Sequence, residues 1–155
     1  MFRICSRYLR SPEDANDAMM KGYVNAFKNL DRFEIRGKGA LEAWLSKIMV
    51  NACLMEIRRS KKMEVVSEFP ETVADQGSTS DALEAEDVYR FVQELPIGYR
   101  TVFNLYAIEG FSHKEIAVEL NIGEATSRSQ LSKARELLKK RIDQQQWKEK
   151  TSTGS

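Results

Sequence analysis

The stretch GFSHKEIAVELNIGEATSRSQLSKARELLKKRI, Gly110 to Ile142, is the most informative in the chain. It reads as two helices around a very short turn. Ser112 is placed to cap the first helix, and Glu115 three residues on completes a capping box. Ile116, Ala117 and Leu120 are predicted to point inward, with Ala117 small where two helices cross closely. Asn121 comes next, the non-glycine residue type best suited to a left-handed backbone. Ile122 is predicted to plug the corner. Gly123 and Glu124 suit the N-terminus of a second helix. A small residue, a left-handed turn residue and a buried plug at these spacings indicate a helix–turn–helix.

The second helix carries the chemistry. At about 100° per residue, Ser127, Leu131, Ala134 and Leu138 fall on one side and are predicted to face a core. Ala125, Ser129, Ser132 and Lys133 fall on the other, flanked by Thr126 and Arg128. Short side chains at a helix start allow close approach to a groove. Hydroxyls, Gln130 and cations there reach base edges and phosphates. Arg135, Lys139, Lys140 and Arg141 extend the basic strip toward phosphate.

Upstream, EAEDVYRFVQEL is predicted as a helix with Val88, Phe91, Val92 and Leu95 on one face, and Pro96 ends it or starts the next. GYRTVFNLYAIEG is predicted as another, with Val102, Phe103, Tyr106 and Ala107 inward and Gly110 closing it. Residues 63–85 change character. Pro70, Gly77 and a Ser/Thr/Asp cluster mark a linker with little regular structure between about 64 and 82. Ahead of it, SPEDANDAMMKGYVNAFKNL opens with Ser11 as cap, Pro12 at the first helical position and acids in the first turn. Ala15, Met19, Tyr23, Phe27 and Leu30 form the predicted inner stripe, opposite Asn16, Asp17, Lys21, Asn25 and Lys28. Gly37 and Gly39 then make a basic loop. ALEAWLSKIMVNACLMEIRRSKK is apolar almost all round from Trp44 to Ile57, as a helix inside a small bundle is. The polar tail after about Gln144 is predicted to fray.

Charge obeys the same division. Residues 1–62 hold 13 Lys/Arg against 7 Asp/Glu, residues 63–94 hold 1 against 9, and residues 95–155 hold 10 against 7. Two basic modules joined by an acidic segment suit a polyanionic partner that the joint repels. Cys5 and Cys53 lie far apart with no CxxC, and a single histidine completes no zinc site, so two reduced thiols in apolar settings are expected and no metal. His113 is read as a surface histidine at a helix start, without a second histidine or nucleophile to make an acid–base pair. No nucleotide-binding glycine motif occurs, so no nucleotide site is expected. No run of roughly 18 apolar residues exists, and MFRICSRYLRSPED lacks a signal peptide's apolar core, so a cytoplasmic location is the default expectation.

LPIGYRTVFNLYAIEGFSHKEIAVELNIGEATSRSQLSKAR resembles, almost throughout, the pattern of extracytoplasmic-function (ECF) sigma factors of the sigma-70 superfamily. Ala125 stands where glycine is usual. SPEDANDAMMKGYVNAFKNLDRF is similar to the family's polymerase-gripping helix, and WLSKIMVNACLMEIRRSKK to its promoter-melting helix. The resemblance implies an all-α fold of two small bundles: sigma domain 2 over 1–62, an acidic linker over 63–83, sigma domain 4 over 84–143 and a polar tail over 144–155. It implies a bacterial transcription initiation factor, not an enzyme and with no cofactor, whose partners are core RNA polymerase and promoter DNA, with an anti-sigma factor as a further candidate.

Site residues carry over on matched positions. The exposed face of the helix from Asp14, with Asp17, Met20, Lys21, Val24 and Lys28, would contact polymerase. Phe33, Arg36 and Lys38 lie in the loop that would hold a flipped minus-ten base, with Asn51 near that pocket and Arg58, Arg59, Lys61 and Lys62 on the backbone. Thr126, Arg128, Ser129, Gln130, Ser132, Lys133 and Arg135 would read the minus-thirty-five element. The linker would thread near the RNA exit path. Three departures stand out. Met20-Lys21 replaces the usual Gln-Glu and reverses a charge, Met55 stands where Asp is frequent, and the family's first helix is longer than MFRICSRYL. Two other functions compete: a standalone helix–turn–helix regulator binding paired half-sites, and a degenerate sigma acting as an anti-sigma decoy.

Overall fold

A computed structural model of the 155-residue chain describes residues 1–35, 37–63 and 85–152, with side chains placed for 1–35, 37–60 and 86–145. The described residues are helical, and the chain divides into two compact units, Met1–Phe69 and Pro70–Ser155. The expected linker, 63–83, lies almost wholly outside the described residues.

The first unit packs three helices: α1 (Phe2–Tyr8), α2 (Pro12–Lys28) and α3 (Ala40–Met63), with a short 3-10 turn at Leu30–Arg32. Helix α2 starts as the sequence demands. Ser11 Oγ accepts from the Asp14 N–H at 3.2 Å, and Pro12 takes the first helical position. Its buried face differs from the expected one. Ala15, Ala18, Gly22 and Ala26 face the core, whereas Met19 and Tyr23 are half-buried and Phe27 and Leu30 are exposed. The reason is close approach. A Cβ placed on Gly22 would lie 2.5 Å from Sδ of Met49, which is fully buried on α3. Small residues let the two helices close, and the larger apolar side chains turn outward.

Helix α3 buries Met49, Val50, Cys53, Leu54 and Ile57 on one side. It is not buried all round, as its composition suggested: Asn51 and Met55 are exposed. Cys5 of α1 and Cys53 of α3 are both free and fully buried, and they meet in a hydrogen bond. That bond and burial push the Cys53 thiol up, so it stays neutral.

The second unit holds α4 (Ala85–Glu94), α5 (Ile97–Phe103), α6 (His113–Leu120) and α7 (Glu124–Ser152). Phe91, Val92 and Leu95 of α4 pack with Ala134 and Leu138 of α7, and Tyr99, Phe103 and Ile142 cover the cluster. Val88 falls outside this core and is exposed. Pro96 caps α5. Arg100, itself buried, donates from Nη1 to the carbonyls of Gln93 (2.8 Å) and Leu95 (3.2 Å), satisfying the end of α4.

Helix α5 passes into a π-helical turn at Asn104–Ile108, closed by the Glu109 N–H donating to the Asn104 carbonyl at 3.0 Å. The extra residue in that turn rotates the side chains beyond it. Val102, ahead of the turn and expected inward, is buried, as is Leu105, while Tyr106 and Ala107, expected inward, reach the surface. The tail also departs from expectation. Helix α7 continues to Ser152, because its Gln, Lys and Glu residues favour a helix and no Gly or Pro interrupts them before Gly154.

Arg100→Leu tests the buried cap. It strips two carbonyls of their donor and is expected to destabilise the second unit by about 2–4 kcal/mol in urea unfolding. An unchanged midpoint would show that the carbonyls are satisfied without it.

Candidate nucleic-acid and protein interface

The helix–turn–helix forms from its own local chemistry. Ser112 Oγ accepts from the Glu115 N–H at 3.2 Å, and the Ser112 N–H donates to Glu115 Oε2 at 2.8 Å. Hydrogen bonding from Ser112 holds the Glu115 carboxyl below the usual glutamate range. Asn121 adopts φ 52°, ψ 51°, the left-handed conformation the turn requires. The Ile122 N–H then donates to the Ala117 carbonyl at 3.0 Å, and Ile122 tucks half-buried into the corner.

Helix α7 presents two distinct sides. Ser127, Leu131, Ala134 and Leu138 are buried, as the wheel requires. Ala125, Thr126, Arg128, Ser129, Ser132, Lys133 and Arg135 are all exposed. Arg128 pairs with Glu124 at 2.9 Å and Lys133 with Glu136 at 3.1 Å, both within the helix and both on the surface. Such pairs are worth little in water, so phosphates or base edges displace the carboxylates readily. Gln130 stands apart from this face. It is half-buried, with its amide 3.4 Å from where a Cβ on Gly98 would sit.

One set of contacts here was not foreseeable from the sequence. His113 Nδ1 and Ser127 Oγ share a hydrogen bond at 2.9 Å. The His113 ring also stacks on Tyr106, centroids 4.6 Å apart, and the Arg135 guanidinium lies 5.7 Å from the Tyr106 centroid. Tyr106 lies within the π-turn, at the surface.

In the first unit, the solvent side of α2 carries Met20, Val24 and Phe27 at helical spacing, 58%, 50% and 75% exposed. Asp14, Asp17, Lys21 and Lys28 flank this strip, all exposed. An apolar strip with a charged margin, turned directly away from the core, suits a protein partner. Lys21 is already engaged. Its Nζ donates to Glu56 Oε2 of α3 at 2.9 Å, and Arg59 pairs with the same carboxylate. The hydrogen bond from Lys21 is the main cause of a lowered Glu56 pKa.

The remaining candidates line α3. Trp44, Asn51, Met55, Arg58 and Lys62 recur every three, four or seven residues, so their Cα atoms share one stripe about 27 Å long. Phe33 packs on Trp44 at its start, centroids 5.0 Å apart and tilted 39°. Asn51, Arg58 and Arg59 are exposed, as is Lys38 in the glycine loop. Arg36 and the side chains of Lys61 and Lys62 lie outside the described residues. An aromatic start, an amide and a basic end are the parts of a single-strand track. Among the described residues no acidic, thiol and imidazole groups cluster as a metal site, and no helix is long and apolar enough to cross a membrane.

Comparisons with known proteins show the family and the fold. The sigma-70 region 2 family matches residues 1–63, and the sigma-70 region 4 family matches residues 85–138. ECF RNA polymerase sigma factor SigM of Mycobacterium tuberculosis is 31% identical over 136 residues, 87% of this chain and 67% of that protein. The chain belongs to the ECF sigma factors. ECF RNA polymerase sigma factor SigW of Bacillus subtilis is 28% identical over 156 residues, 92% of this chain and 82% of that one. Among solved structures, sigma factor RpoE of Bartonella quintana, crystallised with the anti-sigma factor NepR, shares the fold. Its TM-score is 0.56 at 23% identity, covering 92% of this chain and 89% of that one. The sigma factor's all-α, two-bundle fold is thus the one expected from its sequence.

The Lys21–Glu56 bond gives the family departure at Met20-Lys21 a structural reason, and a test. Lys21→Glu, which restores the usual acid, sets two carboxylates together. It is expected to lower the melting temperature of the first unit by a few degrees, the shift that about 1 kcal/mol produces in a unit this size. Lys21→Glu with Glu56→Lys should recover part of it, since a lysine at 56 regains its partner at 21 but meets Arg59. Because the folded Glu56 pKa is depressed, the pair stabilises above the ordinary glutamate value and that contribution is lost as pH falls through the lowered one. Glu56→Gln should flatten this acid limb. A swap that fails to rescue would show that the pair is incidental.

Proposed function

We propose that this ECF sigma factor binds core RNA polymerase through the first unit, reads a minus-thirty-five element with α7, and opens the minus-ten region along α3. The observation that carries the proposal is the outward face of α7: short side chains at the tip, then Arg128, Lys133 and Arg135, all exposed, behind a turn held by Asn121. A helix of that profile enters the major groove by its N-terminal end, and bases are read by Arg128, Ser129, Ser132 and Lys133. Thr126 and Arg135 hold phosphates beside them. Gln130 braces α7 against α5 and takes at most an edge contact with DNA.

The first unit decides between a sigma factor and a standalone regulator. A regulator needs only the second unit and a dimer. The exposed strip Met20–Val24–Phe27, with Asp14, Asp17, Lys21 and Lys28 around it, supports a polymerase-binding surface instead. The α3 stripe supports capture of a melted strand. Phe33 and Trp44 offer a stacking platform, Asn51 hydrogen bonds to an extruded base, and Lys38, Arg58 and Arg59 hold backbone phosphates. Arg36, Lys61 and Lys62 belong to the same basic set by sequence. The likeness to a sigma factor solved with its anti-sigma factor supports a regulator of that class as a third partner. The role is one of positioning and strand capture, with the phosphoryl transfer left to polymerase.

Arg128→Ala and Lys133→Ala are expected to lower promoter-specific transcription by reconstituted polymerase about tenfold or more each, with polymerase binding intact. Loss of polymerase binding in these variants would contradict the division of labour between the units.

A further inference from the structure

The second unit contains a closed chain of contacts that starts and ends on the recognition helix. Ser127, on the buried side of α7, hydrogen-bonds to His113 at the start of α6. His113 stacks on Tyr106 of the π-turn, and Tyr106 lies under Arg135, eight residues beyond Ser127 on α7. The two anchor points are about 12 Å apart along the helix axis. The helix is thus gripped near its tip and again two turns later by one aromatic pair. The grip sits behind the face that carries Arg128, Ser129, Ser132 and Lys133.

From this geometry we infer that His113 is a positioning residue for DNA reading: bridging Tyr106 and Ser127, it fixes the angle at which α7 presents its tip to the groove. The inference rests on the reading of α7 as the minus-thirty-five reader. Base readout needs paired hydrogen bonds at fixed geometry, whereas phosphate contact tolerates small rotations. A loosened helix therefore loses discrimination between sequences before it loses affinity for DNA as such. Ser127 is fully buried, so in His113→Phe its hydroxyl faces an apolar ring in place of a hydrogen-bond partner. The ring stack alone leaves rotation about the stacking axis free, and the hydrogen bond removes that freedom.

The test uses the full chain reconstituted with core polymerase. A duplex selected from a random-sequence pool by the wild-type complex is compared with its shuffled counterpart at one salt concentration. His113→Phe keeps the stack and drops the hydrogen bond. Ser127→Ala drops the same bond from the other side. Each is expected to reduce the ratio of selected to shuffled affinity about fivefold, with shuffled-duplex affinity unchanged. The double variant should lose no more than either single one, because both remove one bond. His113→Asn, whose amide reaches the position of Nδ1 without stacking on Tyr106, should recover part of the ratio lost in His113→Phe, which a purely space-filling role for the ring would not allow. A wild-type complex that selects a sequence while both single variants discriminate as well as it does would overturn the inference alone. So would a double variant that loses the product of the single effects. A wild-type complex that selects no sequence would overturn the reading of α7, and the inference with it.

Discussion

How closely two helices approach is set by the side chains between them, and both units place small residues at their crossings. In the first unit Ala15, Ala18, Gly22 and Ala26 bring α2 against α3. In the second, Ser127 and Ala134 are fully buried on α7, and Ala117 is half-buried on α6. Each unit is too small to bury much apolar surface, so stability depends on tight contact rather than on a thick core. The same constraint shapes the surface. A face built of small residues leaves Met20, Val24 and Phe27 pointing outward, where they form the strip assigned to a partner. A bulky inner stripe of Met19, Tyr23 and Phe27 would have buried Phe27 and shortened that strip.

The second unit shows the complementary principle. Its recognition helix is placed by polar chemistry at the ends and by packing only in the middle. The Ser112–Glu115 box, left-handed Asn121 and the Arg100 donations to the end of α4 each satisfy backbone groups that would otherwise stay unpaired. The π-turn after α5 moves Tyr106 from core to surface, and from there Tyr106 reaches both His113 and Arg135. The candidate reading residues stand exposed on a frame whose turn and helix ends are tied by hydrogen bonds, which limits how far those residues can shift.

The helix–turn–helix was legible in the sequence because its rules are local. A cap, a left-handed position and a four-residue rhythm can be read from Ser112, Asn121 and Leu131 without knowing what lies across the core. The outward reading face came from the same periodicity. What escaped depends on partners distant in sequence. Hydrophobic periodicity favours the bulky stripe Met19–Tyr23–Phe27 on α2, and only the approach of Met49 shows that the small-residue face wins. The inward placement of Tyr106 assumed an unbroken α-helix, and one extra residue in a turn leaves no signature in composition. Gln130 sits within the reading segment by number, but Gly98 opens a slot that draws it inward. Lys21 looked like a bare charge reversal until Glu56, 35 residues away, stood beside it.

The most direct measurement is co-elution of the purified chain with bacterial core RNA polymerase on size exclusion, with circular dichroism confirming that the chain is folded. A sigma factor with an exposed Met20–Val24–Phe27 strip and a braced Lys21 should elute as a stable stoichiometric complex. A folded chain that elutes separately from polymerase at micromolar concentrations would contradict the assignment of the first unit, and with it the role in transcription initiation.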